Sequence, residues 1–321
     1  MIMAAIVAAP PRSPGTWAGL FALVSVLLAL DLGILRRGAR AGGLRAGLAG
    51  CAGWMAAAIG FGAFLRLRGG SEQSQQYFAG YLVELSLSVD NLFVFVLVFD
   101  RFRIDPARQH RVLFWGIVGA IVLRTGFILA GLGAITRFHW LLYVFGALIL
   151  ATGVKLARSR AQDRGFDPAQ NAGVRFLTRL LPIAPESAGT RFFARIDGRR
   201  AITPLFAALL VLEAADLVFA LDSIPAVLAI TRDLFVAVAS NLFAILGLRS
   251  LYLVVSDSLL HFRFLRAGLS ILLVFIGAKM LAEPWVRVPT AVSLGVIGGV
   301  LAAAIGASWL GRQAEEPRRI K

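Results

Sequence analysis

Residues 203–233 read TPLFAALLVLEAADLVFALDSIPAVLAITRD, an apolar run of bilayer-crossing length that nevertheless carries Glu213, Asp216 and Asp222. A carboxylate at the bilayer centre costs about 2.5–3.5 kcal/mol on insertion scales, so three in one span demand a function or a partner. Pro225, three residues beyond Asp222, has no amide N–H, and its ring clashes with the carbonyl of Leu221. The helix is therefore expected to kink or break beside its acids, freeing the Leu221 carbonyl as a further oxygen ligand. Broken spans presenting oxygen groups at mid-depth are how secondary transporters build ion sites. The plainer alternative is that the acids pair with buried basic residues and glue helices together.

The rest of the chain shares this membrane character. Its 321 residues are 58% hydrophobic and only 16% charged, with a mean hydropathy of +0.78. Soluble domains carry about 25% charged residues. The fold class expected is all-α: one polytopic integral membrane domain over residues 1–321, with nine transmembrane helices. Their apolar segments lie near 17–35, 46–65, 77–99, 112–133, 139–156, 204–231, 234–256, 267–283 and 288–310, each near the roughly 20 residues needed to span the hydrocarbon core. The longest connection, 157–203, is a basic loop in which a short amphipathic helix is expected around Arg175–Leu181. Residues 1–16 carry Arg12 as their only charge, which does not fit the basic start of a cleaved signal peptide.

Charge placement gives an orientation. With the N-terminus outside, 24 of the 33 Lys and Arg residues fall in cytoplasmic loops, ten of them between Lys155 and Arg200. Outside are Arg12, Arg66, Arg68, Arg137, Arg232 and Arg287, while Arg124, Arg249 and Lys279 lie within spans. The positive-inside rule then predicts a multi-pass inner-membrane protein, N-terminus out and C-terminus cytoplasmic. The net charge of +15 decorates the inner loops beside membrane lipid and calls for no nucleic acid.

Other chemistries find little support. A single cysteine, Cys51, excludes an internal disulfide or thiolate metal cluster. His110, His139 and His261 all fall at span ends or in loops, against an imidazole zinc site. The sequence holds no phosphate-binding G-x-x-x-x-G-K-[ST] motif and no visible nucleophile–base pair, so it is read as a non-enzyme without a permanently bound cofactor.

The acidic span has a counterpart upstream. Glu84-Leu-Ser-Leu-Ser-Val-Asp90-Asn91 matches Asp216-Leu-Val-Phe-Ala-Leu-Asp222-Ser223: an acid, five residues, Asp, then a small polar residue. Leu123-Arg124-Thr125 likewise answers Leu248-Arg249-Ser250, and Gly153-Val154-Lys155 answers Gly277-Ala278-Lys279. Three matches in the same order indicate a duplicated three-helix unit, residues 77–156 and 204–283. By the orientation above, the first unit enters from outside and the second from inside. The repeat is therefore inverted, which is a transporter architecture with its site near the midplane.

Glu84 and Asp90 are six residues apart, so on a straight helix they point about 120° apart; the same holds for Asp216 and Asp222, and local unwinding would bring each pair together. Glu213 and Asp216 share a face. The candidate metal ligands are Glu84, Asp90, Asn91, Glu213, Asp216, Asp222 and Ser223, oxygen donors suited to Mg²⁺, Ca²⁺ or Mn²⁺. Arg124 and Arg249 are expected to support them by pairing with Asp90 and Asp222. Lys155 and Lys279 are expected to snorkel to the interface, and Asp31 to lie at an interface near the inner end of the first span. Carboxylates that take either a proton or a metal give an exchange mechanism.

The segments ELSLSVDNLFVFVLVF at 84–99 and LEAADLVFALDSIPAVLAIT at 212–231 resemble the paired signatures of the TerC family of integral membrane proteins. The resemblance runs from Asp31 to about Lys279. It implies inverted three-helix repeats, Mn²⁺ export, and functional roles for Glu84, Asp90, Asn91, Glu213, Asp216, Asp222 and Ser223. The expected function is export of Mn²⁺ or a similar divalent cation, with proton influx as the coupling reaction. The alternatives are a non-transporting membrane scaffold of a tellurite or stress-resistance complex, and an exporter of a small organic cation. Homo-oligomers or membrane partners stay open.

Overall fold

The computed structural model describes residues 12–38, 44–138, 140–158, 192–196, 199–258, 265–286 and 288–315. In chain order they form α1 (Pro14–Gly38), α2 (Leu44–Arg101), α3 (Pro106–Arg137), α4 (Leu141–Arg158), β1 (Phe193–Ile196), β2 (Arg199–Ile202), α5 (Pro204–Ile230), α6 (Leu234–Leu246), α7 (Leu248–Ser258), α8 (Leu265–Ala282) and α9 (Thr290–Glu315). The described residues of the nine apolar segments lie mostly in helix, and the segment 234–256 is divided between α6 and α7 at Gly247.

Among the described residues five helices are long and apolar enough to cross a membrane, or six if the bent α5 is one span. The lower number than nine has local causes. The apolar parts of α1 and α8, Pro14–Leu30 and Ala267–Ala282, are short, and the stretch Gly47–Ser88 runs through both limbs of α2. Those limbs, 44–69 and 71–101 (α2a and α2b), meet at Gly70, whose φ of 87° and ψ of 176° suit glycine rather than a side-chain-bearing residue. The limbs fold back on each other: Ser74 Oγ donates to the Gly62 carbonyl at 2.9 Å, and the Phe61 and Tyr77 rings stand 5.4 Å apart.

Helix starts are written locally. Pro204 opens α5, where a missing N–H costs nothing, and the Thr203 hydroxyl accepts from Phe206 N at 3.4 Å. Asp233 caps α6, its Oδ1 accepting from Phe235 N at 2.9 Å and Val236 N at 3.3 Å. The same carboxylate receives Gln73 Nε2 at 3.3 Å and Arg12 at 3.5 Å, and Thr231 Oγ1 donates to Gln76 at 2.6 Å. These contacts gather residue 12, the α2 turn and the α5–α6 junction at one end of the bundle. At the other end Tyr252 OH donates to Gln109, and Arg111 lies over the Phe192 ring.

The described part of the long basic loop holds an element that its sequence did not announce. β1 pairs antiparallel with β2, Phe193 opposite Ile202, and the Phe193 ring packs 4.6 Å from that of Phe206 on α5. The segment expected to form an amphipathic helix around residue 175 lies outside the described residues.

The packing relates the two candidate repeats in a specific way. α2b and α5 run antiparallel, Gly80 facing Val227 and Gln76 bonding Thr231. α4 and α8 also run antiparallel, Gly146 facing Leu281 and Gly153 facing Val274. α3 lies along α5, Gly116 facing Leu209 and Gly131 facing Leu228, and α2b along α6, Gln73 bonding Asp233 and Gly80 facing Ser240; both pairs are parallel. The α4–α8 crossing is reciprocal. A Cβ on Gly153 would sit 2.8 Å from Val274 N, and a Cβ on Gly277 would sit 2.6 Å from Leu150 N. Gly153 and Gly277 are the matched glycines of the sequence repeat, and the same offset carries 150 to 274. This is the contact pattern an inverted repeat requires.

Backbone atoms that close leave no room for a methyl group. Gly277→Ala should destabilise the protein by about 1–3 kcal/mol through overpacking, whereas Gly126→Ala, where nothing lies within 4 Å, should not. Thermal unfolding of both variants in detergent compares them directly.

Candidate functional site

Asp216 sits close to the middle of α5, Arg124 close to the middle of α3, and Glu84 close to the middle of α2b. The three side chains meet. Arg124 Nε donates to Asp216 Oδ2 at 3.0 Å and Nη2 donates to Asp216 Oδ1 at 2.6 Å, a forked grip. Its Nη1 pairs with Glu84 Oε1 and donates to Ser223 Oγ at 3.4 Å. Glu84 and Arg124 are 0% exposed and Asp216 only 6%. One guanidinium therefore ties three helices together, and it holds α5 on both sides of a bend. That bend, 41° between Pro204–Ala220 and Ser223–Ile230, lies where Pro225 predicts a break.

Glu213, one turn before Asp216, is only partly buried, and its carboxyl rests where a Cβ on Gly119 of α3 would have to be. A glycine at 119 is what lets this acid lie against the α3 backbone. Sequence reasoning missed Gly119, and no local pattern marks it; only the α3–α5 register does. Ser88, one turn after Glu84 on α2b, was also missed, although the i, i+4 spacing could have found it. Glu84 Oε2, Ser88 Oγ and Glu213 Oε2 are buried without a hydrogen-bond partner among the described residues.

The remaining expected site residues divide as follows. The backbones of Asp90, Asn91 and Asp222 lie in helix, but their side chains, like that of Asp31, lie outside the described residues. Arg249 is buried in the first turn of α7. Lys279, in the last turn of α8, donates to Ser293 Oγ at 2.9 Å, and Lys155 is exposed near the end of α4. The expected pairing of Arg124 and Arg249 with Asp90 and Asp222 falls on side chains outside the described residues; the described partners of Arg124 are Glu84, Asp216 and Ser223. Among the described residues no three His, Cys, Asp or Glu side chains converge as a metal-holding group. Two of the described acids are held by Arg124 instead.

The surroundings are sharply divided. The buried apolar side chains form two clusters. One runs through Phe61, Tyr77, Ile128, Ala220 and Phe243, and the other through Leu92, Phe99, Leu113, Ala120, Leu212 and Tyr252. The boundary between them crosses α2b, α3 and α5 at the level of Arg124 and Asp216. A charged layer thus lies between two apolar plugs.

This membrane-buried, paired-acid arrangement can be set beside known proteins. The pattern of the integral membrane protein TerC family matches residues 70–316. The chain belongs to the TerC family. It is 47% identical over 298 residues to the uncharacterised membrane protein STKORF319 of Myxococcus xanthus, covering 93% of each chain. It is 40% identical over 317 residues to Alx of Salmonella typhi, a candidate membrane-bound redox modulator, covering 96% of this chain and 98% of that one. A relative in Rickettsia bellii, also an uncharacterised membrane protein, is 34% identical over 91% of this chain and 96% of its own. No solved structure matches. The TerC protein described here is accordingly a multi-pass integral membrane protein.

Removing one partner of a buried ion pair costs about 3–5 kcal/mol because the others stay charged and unpaired. Arg124→Gln should lose stability on that scale, and Glu84→Gln/Arg124→Gln/Asp216→Asn should regain most of it. Unfolding midpoints of the two variants against the parent measure the difference.

Proposed function

We propose that this TerC protein is a secondary transporter of the inner membrane that exports Mn²⁺, or a similar divalent cation, in exchange for protons. The observation that carries this reading is the fully buried Glu84–Arg124–Asp216 cluster at the bend of α5, midway between two apolar plugs. Charge that deep is costly, and ionisable groups inside a membrane characteristically mark ion pathways. Glu84, Asp90, Asn91, Glu213, Asp216, Asp222 and Ser223 supply the oxygens; the Leu221 carbonyl joins them because Pro225 cannot bond to it. The contact pattern of α2b–α5 and α4–α8 supports two inverted units, residues 77–156 and 204–283, and the Lys/Arg distribution supports the N-terminus outside and the C-terminus in the cytoplasm.

Energetics require coupling. Moving a divalent cation out against 100 mV costs about 4.6 kcal/mol, twice the single-charge value. Inward protons competing for the same carboxylates provide it. The name of the relative Alx points to redox modulation. With one cysteine in the chain there is no thiol pair to cycle, so here such an effect would follow from the cellular level of a redox-active cation.

A second reading is favoured by one observation: Arg124 engages Glu84 and Asp216 as structural glue would. In that case the protein is a membrane scaffold, and the triple neutral variant above keeps its function.

Cells lacking their own Mn²⁺ exporters, expressing the protein, should hold less Mn than cells expressing Asp90→Asn/Asp222→Asn at equal abundance. Efflux should quicken when the outside is made more acidic. Unchanged Mn in both strains, or efflux indifferent to the pH gradient, argues for the scaffold or for another coupling ion respectively.

A further inference from the structure

The transport reading leaves one feature of the site unexplained: two of its acids are already occupied by a cation belonging to the protein. Both Asp216 oxygens receive Arg124 hydrogen bonds, and Glu84 Oε1 is paired with Nη1. A metal ion coordinated by the same oxygens would stand beside the guanidinium, with no solvent to screen two like charges. Arginine cannot relieve that repulsion by losing its proton. It has to move.

We infer, on the basis of the proposed transport, that Arg124 is a tethered counter-cation that competes with the exported divalent ion for Glu84 and Asp216. While the site is empty of cargo, the guanidinium neutralises the two acids and closes the layer between the apolar plugs. Because it also bonds Ser223 across the bend, it holds the two halves of α5 at their present angle and fixes both to α2b. Cargo binding to Glu84 and Asp216 removes all three tethers at once. Glu84 Oε2 and Glu213 Oε2, buried without hydrogen-bond partners among the described residues, are oxygens that an entering cation can take up. The ion thereby releases the bend, and return of Arg124 expels the ion.

The discriminating variants are Arg124→Gln, which removes the competitor, and Arg124→Lys, whose ammonium cannot fork onto two carboxylates. Purified parent and variants are titrated with MnCl₂, free Mn²⁺ being read by electron paramagnetic resonance, and turnover is measured in proteoliposomes. Arg124→Gln should bind Mn²⁺ at least about tenfold more tightly, a difference of about 1.4 kcal/mol, yet turn over more slowly because release is lost. Its thermal midpoint should rise more with Mn²⁺ than the parent's, since the ion replaces the missing positive charge. Arg124→Lys should fall between, and it carries the test by itself if Arg124→Gln does not fold. Unchanged or weaker Mn²⁺ binding in the folded variants overturns the competition and leaves Arg124 a structural brace. A parent that neither binds nor moves Mn²⁺ overturns the transport reading, and this inference with it.

Discussion

Everything in the middle of this bundle depends on one electrostatic requirement: a guanidinium and carboxylates buried in an apolar slab must satisfy one another. Water is not available to solvate Arg124 or Glu84, so helices that are distant in sequence are held at one register. Arg124 and Asp216 are 92 residues apart. Their pairing sets α3 along α5, and the link to Glu84 sets α2b against both. The apolar clusters on either side then have only to fill space. The charged layer fixes how α2b, α3 and α5 face one another.

How much of this was legible in the sequence differs by element. The acids of α5 stood out because composition forbids them in a lipid-facing span, and Pro225 announced the bend through covalent chemistry alone. Both readings are local and therefore robust. The fold-back at Gly70 was less visible: Arg66, Arg68 and Glu72 made the segment between two apolar runs look like a loop, whereas helix continues to Gly69 and resumes at once. Charges at a helix end near the interface do not stop a helix.

Partner choice was the hardest to read. The sequence suggested that Arg124 answers Asp90 or Asp222, because those residues recur in the repeat. Those two side chains lie outside the described residues, and the described contacts add Glu84 and Asp216, partners that the repeat did not single out for it. Periodicity says which face of a helix is apolar, but not how far a neighbouring helix is shifted along its axis, and a shift of one turn changes the partner. The β1–β2 hairpin escaped for a related reason. Its residues are basic and show no clean alternation, and its stability comes from docking Phe192 and Phe193 against Phe206.

The two kinds of helix contact divide the labour of the molecule. At the α4–α8 crossing, matched glycines bring backbones so close that neither helix can slide or turn without collision, and the reciprocity of Gly153 and Gly277 repeats that constraint from both sides. At the bend of α5 the opposite holds. Proline has removed a backbone hydrogen bond, and Arg124 adds side-chain bonds to α5 on both sides of the bend. A membrane protein that sets a buried ion pair across such a bend has put these charges where a change in their partners can change its shape.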